Sequence, residues 1–115
     1  MNTTDIKVAS KIDNFIIVIN QGSVNNIRQF MRFMVYEDGD EIFDPTTGES
    51  LGILEIPKGF FKVQHIQEKI SILVSELKKE GKIFNTISLF NELDVQRELL
   101  NSIKVGDKVK IINSI

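Results

Sequence analysis

Ile66-Gln67-Glu68-Lys69-Ile70-Ser71-Ile72-Leu73-Val74-Ser75-Glu76-Leu77-Lys78-Lys79-Glu80 is the stretch on which the fold class turns. It fits two templates. Ile66, Ile70, Leu73, Val74 and Leu77 make a helical stripe, with Gly81 as a C′ residue. Ile70, Ile72 and Val74 also make the alternating face of a strand. A strand is expected, because Ile and Val are β-branched and Gly81 can close a hairpin onto Ile83–Phe90.

Upstream, the pattern is that of strands. Phe60–Val63 begins a strand that can run on through Ile66, Ile70 and Ile72, with a change of apolar parity between Val63 and Ile66 that suggests a β-bulge. Leu51–Ile56 is strand-like and is ended or bent at Pro57-Lys58-Gly59. Asp44-Pro45-Thr46-Thr47-Gly48 is a turn, since Pro presets its own dihedral and Gly admits a positive one. Asp38-Gly39 is a second tight-turn signal. In Met31–Tyr36, the residues Met31, Phe33 and Val35 share one face, with Arg32, Met34 and Tyr36 opposite. Phe15–Ile19 is a continuous apolar run, as in a strand buried on both faces. Ile6, Val8 and Ile12 nearly alternate with polar neighbours, and Gln21-Gly22-Ser23 with Asn25-Asn26 is turn chemistry.

Downstream, Asn91–Asn101 carries Leu93, Val95, Leu99 and Leu100 behind an acidic start at Glu92 and Asp94, which suits a short helix. Lys104–Ile112 returns to alternation, with Val105, Val109 and Ile111 against Lys104, Lys108 and Lys110. Many short strands joined by Gly, Pro and Asp turns predict an all-β chain, specifically a small antiparallel β-barrel with one short helical insertion. The chain of 115 residues fits a single domain over 1–115.

Composition excludes much chemistry. There is no Cys, so disulfides, thiolate metal sites and Cys nucleophiles are impossible. His65 is the only histidine, no Gly-x-Ser-x-Gly elbow accompanies it, and no phosphate loop is present. A non-enzymatic protein without a cofactor or metal centre is expected. Met1–Lys11 lacks the apolar core of a signal peptide, and the longest apolar run is far short of a membrane span, so a cytoplasmic location is expected.

The net charge of −2 hides an asymmetry. Glu37, Asp38, Asp40, Glu41, Asp44, Glu49 and Glu55 form an acidic lobe containing no Lys or Arg. Asp38, Asp40 and Asp44 offer hard oxygen ligands, but in the wrong order for a calcium loop, so a solvated acidic turn is the simpler reading.

The succession Asn20-x-Gly22-Ser23, Met31-Arg32-Phe33-x-Val35-Tyr36, Asp44-Pro45-x-Thr47-Gly48-Glu49-x-Leu51-Gly52, Lys62-Val63-x-x-Ile66-Gln67, Ile70-Ser71 and Lys104-Val105-Gly106-Asp107-x-Val109 resembles the C-terminal domain family of the bacterial flagellar assembly protein T. The resemblance covers residues 14–112, and its most specific part is Asp44–Gly52. It implies a small β-barrel that serves as a non-catalytic assembly module; the chain departs from the family pattern at 83–102, which reads as an insertion.

Two functional readings follow. The first is a protein-interaction module, with a protein partner or a second copy of itself, that uses Leu89, Phe90, Leu93 and Leu99 of the insertion and Asp38, Asp40, Asp44 and Glu49 of the acidic lobe. The second is a barrel that binds nucleic acid or a small ligand through Tyr36, Phe61, Lys62 and His65. The acidic lobe would repel phosphates, which favours the first. Phe30, Phe33, Phe43, Phe60, Phe61, Phe84 and Phe90 are expected mostly to fill the core.

Overall fold

Ser71–Ser75 is a strand, and it lies in the middle of one six-stranded antiparallel sheet. The computed structural model describes residues 5–77 and 97–113. Its strands are β1 (Val8–Asp13), β2 (Ile16–Ile19), β3 (Arg32–Phe43), β4 (Ser50–Ile66), β5 (Ser71–Ser75) and β6 (Lys108–Asn113). Their order across the sheet is β1-β2-β5-β4-β3-β6. The chain is therefore all-β, and the strand expectation for the decisive stretch holds at 71–75.

The decisive stretch is nevertheless divided. Ile66 ends β4, and Gln67 N–H donates to Ile70 O at 2.8 Å to close a turn. The core-facing residues of β5 are Ser71, Leu73 and Ser75, not the expected Ile72 and Val74, which are half-buried. Ser71 tolerates burial because its hydroxyl donates to Gln21 O at 2.8 Å. The hairpin expected at Gly81 lies outside the described residues.

The bulge expected between Val63 and Ile66 is present as a register shift between Val63 and His65. Asp38-Gly39, by contrast, is not a turn. β3 continues through it with an extra residue in its ladder to β4 between Asp38 and Glu41. The chain reverses instead at Asp44–Gly48, where Gly48 N–H donates to Asp44 O. Gly39 fits the bulge because a Cβ there would stand 2.8 Å from Ile56 Cδ1. Pro57-Lys58-Gly59 likewise bends β4 without ending it, so Leu51–Ile56 and Phe60–Val63 belong to one strand of 17 residues.

The core lies on one face of the sheet. Val8, Ile17, Ile19, Phe33, Val35, Phe61 and Leu73 pack there, joined by Ile27, Met31, Leu100 and Ile103 from the connections and by Val109 of β6. The Phe15–Ile19 run alternates, with Ile17 and Ile19 buried and its other members half-buried. Of the described candidate core phenylalanines, Phe33 and Phe61 are buried, whereas Phe30, Phe43 and Phe60 are exposed. The sheet curls until its two edges meet at one corner. Lys7 and Lys108 form a β-bridge there, and Val109 N–H donates to Ile6 O at 3.0 Å. Gly106 N–H and Val8 N–H add bonds of 2.8 and 3.0 Å to Val8 O and Asp107 O. β1 and β6 share no continuous ladder, so closure reaches as far as this corner.

A helical turn at 97–101 falls within the expected short helix. It places Leu100 in the core and leaves Leu99 partly exposed. This end of the supposed insertion thus seals the sheet. Leu89, Phe90 and Leu93 lie outside the described residues, as does Phe84.

Candidate interaction surface

β3 and β4 are 12 and 17 residues long, whereas their neighbours β6 and β5 are 6 and 5. β6 pairs with β3 over Arg32–Tyr36, and β5 pairs with β4 over Phe61–Ile66. Residues 37–56 therefore continue as a two-stranded arm with no third strand among the described residues. A two-stranded hairpin is marginal in water by itself, so this one depends on its turn and its base.

The turn is tightly bonded. Asp44 N–H donates to Glu49 O at 2.9 Å, and Gly48 N–H donates to Asp44 O at 2.8 Å. Asp44 Oδ1 accepts from Thr46 N–H at 2.8 Å, and Pro45 presets its dihedral. Gly48 supplies the required positive φ of 78°. Nearer the arm's middle, Ser50 Oγ donates to Glu41 Oε2 at 2.6 Å.

The base is held by a buried ion cluster. Val35 pairs with Gly59 and Tyr36 with Pro57, so Lys58 is an extra residue in β4. The bulge turns its side chain inward, where it is only 5% exposed. Lys58 Nζ lies 2.9 Å from Asp107 Oδ2, 3.0 Å from Glu37 Oε1 and 3.1 Å from Ser102 O. Asp107 Oδ2 also accepts from Lys104 N–H at 2.9 Å. Burial alone would lower the Lys58 pKa, but hydrogen bonds and charge from Asp107 and Glu37 outweigh it and hold the ammonium above its ordinary value. On the surface, Lys108 meets Asp38 at 2.6 Å and Lys110 meets Glu55 at 2.9 Å. Lys110 also sits 5.7 Å above the Tyr36 ring. The lysines missing from the acidic lobe in sequence are thus supplied at its foot by β6.

Beyond the foot, the arm exposes Ile42, Phe43, Leu51, Ile53 and Leu54, with Phe43 54% and Leu51 63% accessible. Ile53 and Leu54 are adjacent in a strand and so project to opposite faces; both are exposed, so both faces of the arm are open. Covering five half-exposed side chains would contribute on the order of 5 kcal/mol before ordering costs. Such apolar exposure is spread over both faces of the arm.

The structure gathers Asp38, Asp40, Asp44 and Glu49 on this arm. Asp38 is paired and Asp44 is built into the turn, while Asp40 and Glu49 are exposed. Among the described residues, no group of three His, Asp or Glu side chains is gathered closely enough to hold a metal ion. Leu99 borders a cleft of about 330 Å³ at the arm's foot, together with Pro57, Phe60, Leu77 and Leu100. The charged residues lining it, Lys58 and Glu76, are both engaged, Glu76 by Arg32 at 2.6 Å.

The alternative ligand face does not assemble. Phe61 faces the core opposite Phe33 with no exposed surface. Tyr36 is half-buried, and only Lys62 and His65 are exposed. Phe61 is withdrawn from that face by strand parity, which turns Phe60 outward instead.

Sequence reasoning missed Lys58 and the exposed apolar residues of the arm. Apolar residues in strand-forming runs read as core unless the number of neighbouring strands is known. The available signal was the Asp44–Gly48 turn set between two strand-forming runs next to a block of acids.

The fold and surface define an all-β, single-sheet protein with a projecting acidic and apolar hairpin. Neither a scan against protein-family models nor a search of curated proteins finds a match for this chain. No helix among the described residues is long and apolar enough to cross a membrane.

Proposed function

We propose that this chain is a non-catalytic protein-interaction module and that its β3–β4 arm is the contact element. The observation that carries this is the run of residues 37–56 beyond the sheet, with Ile42, Phe43, Leu51, Ile53 and Leu54 exposed on an acidic hairpin. The core does not need these side chains, and exposed apolar residues gathered on one projecting element suit a contact role. The proposal extends to the resemblance to the C-terminal domain family of flagellar assembly protein T, taken as a likeness of fold and assembly role, and to a bacterial cytoplasmic setting.

The test is a paired capture from bacterial extract with the wild-type chain and a Leu51→Ser/Ile53→Ser variant of equal thermal stability. A protein enriched by the wild type and lost from the variant is the expected result. Identical captured sets from the two baits would overturn the proposal.

A further inference from the structure

The arm's two edges are not equivalent. The β3 edge carries Glu37, Asp38, Asp40 and Glu41 and is broken by the bulge at Gly39–Asp40. The β4 edge carries Gly52-Ile53-Leu54-Glu55-Ile56, which begins at Gly52 with a positive φ of 109° and runs between an extra residue at Leu51 and another at Lys58. Five residues match the mean length of a strand. The same edge of β4 is already used lower down, where β5 pairs with Phe61–Ile66 and Glu76 N–H donates to Phe60 O at 2.9 Å. Above Phe60 no described strand continues along it. Its outward N–H and C=O groups therefore form a template for another strand.

Resting on the interaction reading above, we infer that the β4 edge at Gly52–Ile56 receives an extended, basic and apolar segment of a partner protein, which adds to the sheet as a further strand beyond β5. Main-chain bonds supply affinity in such an addition, and alternate side chains supply specificity. Charge selects the partner. The arm carries seven acids between Glu37 and Glu55 and no base. Of the arm's acids, Lys58, Lys108 and Lys110 engage Glu37, Asp38 and Glu55, all at the foot. Asp40, Glu41, Asp44 and Glu49 remain toward the tip. A second copy would bring two arms of the same sign side by side. Lys or Arg alternating with apolar residues would oppose the arm's charge, its apolar side chains covering Ile53 or Leu54 on one face and the Lys stems lying along the other.

The full chain is titrated with a capped peptide of alternating Lys and Val, with a Glu–Val counterpart, and with two Lys–Val peptides N-methylated at odd or at even positions. Expected results are binding of the Lys–Val peptide and no binding of the Glu–Val peptide. The affinity should fall at least about tenfold between about 0.05 M and about 0.5 M salt. Alternate amides within 52–56 should become protected from hydrogen exchange, and one of the two methylated peptides should lose binding while the other keeps it. The inference is overturned by equal binding of the Glu–Val peptide, by protection elsewhere in the chain, or by loss of binding with both or neither methylated peptide. Amides at 52–56 already protected in the free chain, or a dimer in solution broken by Ile53→Lys, would overturn it too, since the edge would then be occupied. All these outcomes leave the paired capture standing, so failure of strand addition is distinguishable from failure of the interaction reading.

Discussion

A lysine ammonium that is 5% exposed must be matched by opposite charge, and Lys58 is matched by Asp107 and Glu37 with the Ser102 carbonyl completing its bonds. Removing one member of such a pair leaves the other buried and uncompensated. Lys58→Met is therefore expected to cost about 3 kcal/mol in denaturant unfolding. Asp107→Asn keeps an acceptor for the Lys104 amide and loses the charge. The double variant should cost less than the sum of the singles by at least about 1 kcal/mol, and strict additivity would show the pair to be uncoupled. Phenylalanines offer a second contrast. Phe61→Ala should cost about 3–5 kcal/mol because it opens a core cavity. Phe43→Ala, on the exposed arm, should stay within about 0.5 kcal/mol. The apolar character of both residues was legible in the sequence. Which of Phe60 and Phe61 faces inward was not, because parity is set by the bulge at Lys58 and by pairing with Phe33.

At the scale of elements, the β3–β4 hairpin shows how far local chemistry reaches. Pro45 and Gly48 marked its turn correctly, since a positive φ of 78° suits glycine almost alone. Gly48→Ala is expected to cost about 1 kcal/mol locally. The cost should appear as faster amide exchange at the arm's tip, with the global unfolding midpoint nearly unmoved. An equal loss at the core strands would show that the arm unfolds together with the sheet. Asp38-Gly39 carried an equally good turn signal and became a bulge, because turn propensity is local whereas strand pairing is decided by what lies opposite. The helical stripe through Ile66–Leu77 lost to strands for the same kind of reason: β2 and β4 on either side of β5 satisfy its backbone.

For the whole molecule, two ion pairs tie stability to pH at opposite ends of the scale. Glu76 is hydrogen-bonded to Arg32, which holds its carboxyl below the usual range despite partial burial. A depressed folded pKa stabilises the fold above the unfolded value and is lost as pH falls through the folded one. Glu76→Gln should flatten the acid limb of a stability-versus-pH curve, and an unchanged limb would refute the linkage. Lys58 acts in the other direction. Its raised pKa contributes fully below its unfolded value and is lost as pH rises through the folded one, so Lys58→Met should flatten the alkaline limb. Lys110 and Lys108 bind Glu55 and Asp38 from a strand more than fifty residues away in sequence. The acidic lobe of the linear chain is therefore partly neutralised at its foot and left charged toward its tip.

Local properties were readable from composition and order. The absence of Cys removed whole classes of chemistry. Alternation and β-branching marked an antiparallel all-β chain, and Pro and Gly marked the hairpin turn that the fold uses, because these effects act within a few residues. Three matters depended on the folded arrangement: which strands lie side by side, how far each pairing extends, and which side chains are left without a neighbour. The same apolar residues that would be core in a longer β5 or β6 are surface on the arm, because those strands stop pairing at Phe61 and Tyr36. Burial is a relation between distant segments, and no single segment encodes it.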